Sequence, residues 1–357
     1  MTSPSTVRVG IIGTGGISQS HGRAYQRIPG VEIVAVADII EERAQKAAEL
    51  WGARHAFSDY RELLALPEID AVSVCTFNQA HRAPVVDALM AGKHVLCEKP
   101  LAAKLEDALA MISAAKASGK ILHTGFWQRW QPEVQTARRI VQSGQLGEIY
   151  YAQMIGGDRR RIPGGSFLRK DFAGAGPTVD IGCYDLDTFM FLTGDPRPVS
   201  VSGMISYHLG KSLPNVPTDW GHVPADVEVE DMGTAFVRFE NGMVLHFMTY
   251  WAAHADSLGP SLLLGTKGGL QLSPKLTLFR DEFGVVTNVE PKLPVVQDPQ
   301  RMHHFVPQAQ IFIDAVRAGG PTPVDLKGIL YSQLIMDGIF RSAEAGREVA
   351  IEVPDVL

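Results

Sequence analysis

Three cysteines, Cys75, Cys97 and Cys183, are all that 357 residues contain, and no two of them stand as C-x-x-C. A disulfide framework and a cysteine zinc site are both excluded, and a reducing cytoplasm is the compartment expected. No H-E-x-x-H or comparable histidine spacing occurs, so no catalytic metal is expected. The chain also lacks the roughly 20-residue apolar run that a membrane helix needs. Its first apolar stretch, Val9 to Ile12, stops at Gly13, and the opening MTSPSTVR has no apolar signal core. Neither a membrane nor a targeting segment is expected. Basic charge is short as well: 33 Lys and Arg against 39 Asp and Glu leave −6, with no basic run, which removes nucleic acid from the expected partners.

What is present is an ordinary folding composition, 45% hydrophobic and 20% charged, long enough for about two domains. The first third alternates β-branched runs with amphipathic stretches, the pattern of βαβ units around a parallel sheet. Strands are expected at Val7 to Ile12, Glu32 to Ala37, Ala71 to Cys75, His94 to Cys97 and Ile121 to Thr124, with helices at Glu41 to Trp51, Ala83 to Ala91 and Leu105 to Ser118. Beyond about residue 125 the texture changes. A helix at Pro132 to Ser143 is followed by alternating strands at Glu148 to Ile155, Val199 to Tyr207, Asp231 to Phe239 and Met243 to Trp251, with Asn241-Gly242 as a hairpin turn. Two late helices, Gln308 to Ala318 and Leu330 to Ala345, close the pattern. The expectation is a Rossmann-type α/β domain over residues 1–124 and an α+β domain over 125–357.

Directly after the first strand comes Gly13-Thr14-Gly15-Gly16-Ile17-Ser18. The first glycine permits the tight turn and the second lets backbone N–H groups approach a pyrophosphate, with Ser18 at the third small position. A strand ending in Asp38 follows, at the spacing of the acidic residue that binds the adenosine ribose. Gly13, Gly15, Gly16, Ile17 and Asp38 are therefore the expected cofactor residues. Asp38 also selects NAD over NADP, since unit charges about 4 Å apart repel by roughly 4 kcal/mol at an effective dielectric of 20. Arg43, nearby in sequence, is the one cation that could soften this.

Further motifs follow: His21, then Asn78 and His81 before Gly92-Lys93-His94, then Glu98-Lys99-Pro100. Later come Gly174-Ala175-Gly176, Asp180-Ile181-Gly182-Cys183-Tyr184, Pro323-Val324-Asp325 and Gly346-Arg347-Glu348-Val349. Together these resemble the glucose-fructose oxidoreductase, inositol dehydrogenase and rhizopine-catabolism (Gfo/Idh/MocA) family over nearly the whole chain. The resemblance implies a Rossmann domain, a C-terminal α+β domain with a large, mainly antiparallel open sheet, and a substrate cleft between them. It further implies a hydride transferred between NAD and a secondary alcohol of a sugar, cyclitol or related cyclic polyol.

By the same resemblance Lys99 and the residue at the histidine position of Asp-x-x-x-His flank the reacting carbon. Tyr184 stands at that position, as in the tyrosine-bearing branches. The minimum chemistry is a proton acceptor plus a group that stabilises the developing alkoxide. Tyr184 is expected to exchange the proton, its pKa lowered by Lys99 and the nicotinamide, while Lys99 stays cationic; Lys99 as the base is the competitor. Asp180 is expected to orient substrate hydroxyls, and Asp187 either falls at another family acidic position toward substrate or is a solvated or helix-facing carboxylate. Asp185 reads as surface.

Family positions also place Thr76, Phe77, Asn78, His81, Glu98, Gln128 and Arg129 beside the cofactor, although His81 also reads as a helix cap. Arg161, in Arg159-Arg160-Arg161, could grip an anionic substrate from a lid or lie on a solvated loop. A homodimer or homotetramer built through the open sheet is expected. Alternatives left open are a dihydrodiol-type or sugar-nucleotide reductase and a non-catalytic NAD-binding regulator.

Overall fold

The computed structural model describes residues 6–212, 224–293 and 302–356. Its first sheet is built from β1 (Val7–Ile12), β2 (Val31–Ala37), β3 (His55–Phe57), β4 (Ala71–Val74), β5 (His94–Cys97) and β6 (Leu122–Thr124), all parallel, in the order β3-β2-β1-β4-β5-β6. Between them run α1 (Ser18–Gln26), α2 (Glu41–Trp51), α3 (Tyr60–Leu64), α4 (Arg82–Met90) and α5 (Leu105–Ser118). The order reverses between β1 and β4, so their carboxyl ends open the crevice where dinucleotides bind in doubly wound sheets. Strands β1 and β4 are buried on both faces, which is why they read as β-branched runs without alternation. The sequence reading passed over β3, because three residues ending in an aromatic carry no periodicity.

The second sheet has nine strands in the order β14-β13-β12-β11-β7-β10-β9-β8-β15. They are β7 (Ile149–Gly157), β8 (Pro198–Ser206), β9 (Met232–Phe239), β10 (Val244–Tyr250), β11 (Leu262–Gly265), β12 (Gly269–Gln271), β13 (Thr277–Glu282), β14 (Val285–Val289) and β15 (Val349–Ala350). Pairing is antiparallel except between β7 and β10. The helices are α6 (Pro132–Gln142), α7 (Lys170–Ala173), α8 (Pro177–Asp180), α9 (Gly182–Thr193), α10 (His208–Ser212), α11 (Met302–Ala318) and α12 (Leu326–Ala345). Ala152, Met154, Val237, Leu245 and Phe247 face the helices and are buried, whereas Met204 and Phe236 on the opposite side are exposed.

Two features tie the halves together. The core shared by α4, α5, α9 and α12 is continuous, with Val85, Leu89, Met111, Phe189, Leu334 and Ile339 in one cluster, and Gln333 donates to the Ala102 carbonyl at 3.2 Å. Helix α11 returns to the first sheet: its Met302, Ala309, Phe312 and Ile313 are buried with Val7, Val9, Ile11 and Tyr25.

Candidate active site

The turn after β1 brings the glycines to the crevice. Gly13 has φ +86°, and a Cβ there would stand 2.8 Å from the Cys75 carbonyl, so only glycine lets β1 and β4 close at this point. A Cβ on Gly15 or Gly16 would meet nothing within 4 Å. That open groove runs beside the first turn of α1, whose N-cap, Ile17, supplies no side-chain hydrogen bond. Exposed backbone N–H groups at a helix N-terminus suit a pyrophosphate. Asp38 is fixed as an acceptor at the end of β2: its Oδ2 receives the Thr14 N–H at 2.8 Å and hydroxyl at 3.0 Å, and its Oδ1 receives the Ile40 N–H at 2.9 Å. These residues fit a dinucleotide.

Beyond β4, Thr76 donates from its hydroxyl to the Ala80 carbonyl at 3.2 Å. The Asn78 amide reaches the Ala173 carbonyl at 3.1 Å, and Phe77 packs edge-on to Phe172 at 4.9 Å, so this loop bridges the two sheets' loops across the crevice. Gln128 is partly buried in the 3-10 turn Trp127–Trp130.

Lys99, Asp180 and Tyr184 come together from three elements. The Lys99 ammonium donates to Asp180 Oδ1 at 2.8 Å and to its carbonyl at 3.0 Å, and sits 4.8 Å from the centre of the Tyr184 ring. Burial works against charge on Lys99, but the Asp180 carboxylate beside it outweighs burial and raises the ammonium pKa well above its usual value. Lysine is therefore cationic at neutral pH. Burial pushes the Tyr184 phenol up, and Lys99, which pulls it down, does not compensate. This corrects the expected lowering: the resting tyrosine is protonated.

The short helix that carries Asp180 is capped by a residue the sequence reading missed. Glu230 accepts the N–H of Gly176 at 2.8 Å and of Thr178 at 3.2 Å, capping α8, and a Cβ at Gly176 would strike the Glu230 carbonyl. The only signal was an acidic run, Glu228-Val229-Glu230-Asp231, that reads as solvated charge.

Four residues expected beside cofactor or substrate are bonded elsewhere, and Arg161 lies on the solvated loop that was one of its two readings. Arg129 and Asp187 are paired with each other, Nε to Oδ2 at 2.8 Å and Nη2 to Oδ1 at 2.6 Å, with 4% and 1% of their side chains exposed. Both forks are spent, so neither faces cofactor or substrate. His81 is wholly buried and lies between the Thr76 carbonyl at 3.2 Å and the Pro100 carbonyl at 3.0 Å, tying two loops. Glu98 turns inward to His21 Nε2 at 2.7 Å and accepts the Lys99 N–H at 3.2 Å. Burial opposes charge on His21, but Cys75 and Glu98 outweigh it and lift the imidazole to about 10. The pair thus anchors the Glu-Lys-Pro turn from beneath. Arg161 is 66% exposed and bonded to Asp158 at 3.1 Å; Ile162 and Trp251, buried together, pin its loop to the second sheet.

Asp185 is not a surface residue either. It is partly buried against Gly156, its Oδ2 has no partner, and burial lifts its pKa to about 7. The folded carboxyl then holds a proton more tightly than the unfolded one, near 3.9, so stability falls as pH rises from about 4 to about 7 and stays lower above. Asp185→Asn is expected to unfold at a higher temperature than wild type at about pH 8, by about 2 kcal/mol, with the gap narrowing by more than half at about pH 5. A gap of constant size in thermal melts would refute this.

Family models match in both halves: an oxidoreductase family with an NAD-binding Rossmann fold over residues 7–126 and the GFO/IDH/MocA C-terminal domain over residues 134–271. The chain belongs to the GFO/IDH/MocA oxidoreductases. D-glucoside 3-dehydrogenase of Escherichia coli K12 is 32% identical across 98% of this chain and 99% of its own length. 1,5-Anhydro-D-fructose reductase of Ensifer adhaerens is 28% identical across 97% and 98%. Levoglucosan dehydrogenase, solved with NADH and levoglucosan, shares the fold with a TM-score of 0.82 at 24% identity, covering 97% of this chain and all of that one. This GFO/IDH/MocA member is an NAD-binding oxidoreductase, and the groove beside Gly15 and Gly16 with Asp38 at its end suits that cofactor. Asp38→Ser is expected to raise the NAD KM and to shift the NADP-to-NAD preference by about 10- to 100-fold toward NADP. Steady-state kinetics with both cofactors check it; an unchanged ratio counts against Asp38 as the discriminator. Among the described residues no cluster of His, Cys, Asp and Glu could hold a metal, and no helix is long and apolar enough to cross a membrane.

Proposed function

We propose that this protein oxidises, with NAD, a secondary hydroxyl on a ring carbon of a sugar, glycoside or cyclitol. The carrying observation is the ammonium of Lys99 held by Asp180 beside the protonated phenol of Tyr184, at the mouth of the NAD crevice. Support for the substrate class comes from the names of the relatives, a glucoside dehydrogenase across the full length and inositol dehydrogenases over part of it. NAD when bound supplies the hydride acceptor. The third N–H of Lys99 is free to hold the substrate oxygen and stabilise the alkoxide that develops on it. Asp180 keeps the lysine charged and aimed. Tyr184 passes the proton: as a phenol it donates to a carbonyl oxygen, and as a phenolate it accepts from the alcohol. In this reading Gln128, Thr76, Phe77 and Asn78 bound the nicotinamide end of the groove.

The exposure of Met204 and Phe236 on one side of the nine-stranded sheet suits a homodimer or homotetramer, and three buried free thiols suit a reducing cytoplasm. The test is NADH absorbance on mixing protein and NAD with glucosides, anhydrosugars, aldoses and inositols. NADH formed with at least one ring polyol is expected. Silence across the panel from protein that still binds NADH would overturn the reading.

A further inference from the structure

Trp127 lies outside every motif considered so far, yet among the described residues its side chain makes the one hydrogen bond to the Tyr184 hydroxyl. Its indole Nε1–H donates to the Tyr184 hydroxyl oxygen at 2.7 Å, and the two rings meet edge to face at 5.4 Å. On its other side Trp127 is gripped by α11, with the His304 ring at 4.3 Å and Phe305 at 6.3 Å. Phe126 closes the opposite edge of the tyrosine at 6.0 Å.

Donor and acceptor roles decide what this arrangement does. An indole N–H only donates, and so does a lysine ammonium. Trp127 Nε1 at the Tyr184 hydroxyl and Lys99 Nζ over its ring are therefore both unable to accept its proton, while Glu98 and Asp180 act on it as nearby negative charge that holds the proton in place. The hydroxyl hydrogen is left for an acceptor other than the indole and the ammonium, and a substrate oxygen held by Lys99 can supply one. The same indole bond strengthens when the tyrosine becomes a phenolate, because a charged acceptor binds a donor more tightly than a neutral one. Burial raises the cost of that phenolate, and a donor held on its oxygen works in the opposite direction.

We propose that Trp127 is a positioning residue for Tyr184: it orients the tyrosine proton into the cleft and stabilises the phenolate formed when that proton leaves. The inference rests on the proposed function, in which Tyr184 carries the proton. Because Trp127 is itself held by α11, the aim of Tyr184 is set by a helix more than a hundred residues away in sequence.

Trp127→Phe keeps the ring and removes the donor. In the oxidation direction kcat is expected to fall about 10- to 100-fold with KM changed far less, and the alkaline limb of kcat to move up by about one pH unit. Trp127→His, which restores a ring N–H, should recover part of the loss. In a Tyr184→Phe background the same change should cost nothing further. Equal losses in both backgrounds would make Trp127 a cleft wall and overturn the proposal, as would an unmoved pH limb. A readout free of turnover separates this from the proposed function. Among the indole N–H resonances of the five tryptophans, the one lost in Trp127→Phe should move upfield in Tyr184→Phe. If it stays in place the contact is refuted, whereas a silent substrate panel with the shift observed refutes only the substrate reading.

Discussion

Replacing Tyr184 with phenylalanine is expected to lower turnover by about 10²- to 10⁴-fold, the range typical of losing a positioned proton donor or acceptor. NADH affinity should be unaffected, because the phenol faces Trp127 and Lys99 rather than the glycine turn. The sign of the pH dependence follows from burial. With the phenol pushed above its usual range, oxidation needs a phenolate that is scarce at neutral pH, so wild-type kcat should climb tenfold per pH unit on the alkaline side. Reduction, which uses the protonated phenol, should lack that limb. Tyr184→Phe should flatten the climb. If the variant instead turns over normally at every pH while Lys99→Met is dead, the proton belongs to Lys99 and the tyrosine is a wall.

The second large effect concerns stability. Arg129 and Asp187 are a bidentate pair sealed from water, and removing one partner leaves the other charge buried without compensation, at a cost of about 3–5 kcal/mol. Arg129→Met and Asp187→Leu are each expected to lower the unfolding midpoint sharply. Together they should restore most of the loss, since apolar side chains of similar volume remove both charges at once. NADH affinity of the folded single variants should stay at the wild-type level. A weakened NADH affinity with normal stability would return Arg129 to the cofactor site.

All of the first sheet but β3 was legible because its central strands are buried on both faces and separated by helices, and because Gly13 and Asp38 sit where a nucleotide fold requires them. Lys99, Asp180 and Tyr184, which the structure clusters, were reachable through motifs. Arg129 and Asp187 were misplaced for a physical reason: a carboxylate and a guanidinium at motif positions look free until their partners are known, and the two lie 58 residues apart. Asp185 looked like surface beside a helical motif, since nothing in its neighbours announces that Gly156 leaves room for it. Strands β11 to β14 escaped because each is three to six residues long and broken by glycine turns, too short for alternation to register. Trp127 gave no signal at all, since an aromatic in a core segment is usually packing.

The return of α11 to the first sheet bears on how the chain is made. A ribosome that has released residue 124 has delivered every strand of that sheet, yet Val7, Val9, Ile11 and Tyr25 still lack Phe312 and Ile313, which cover them in the finished protein. Until residue 313 has emerged, Ala24, Ala44, Ala47 and Trp51 share that flank with them without α11, so the cover of the nucleotide fold is completed only when nearly the whole chain is out. Expressed alone, residues 1–124 would meet the same difficulty permanently, and a partner offering an apolar helix would be welcomed in place of the missing one.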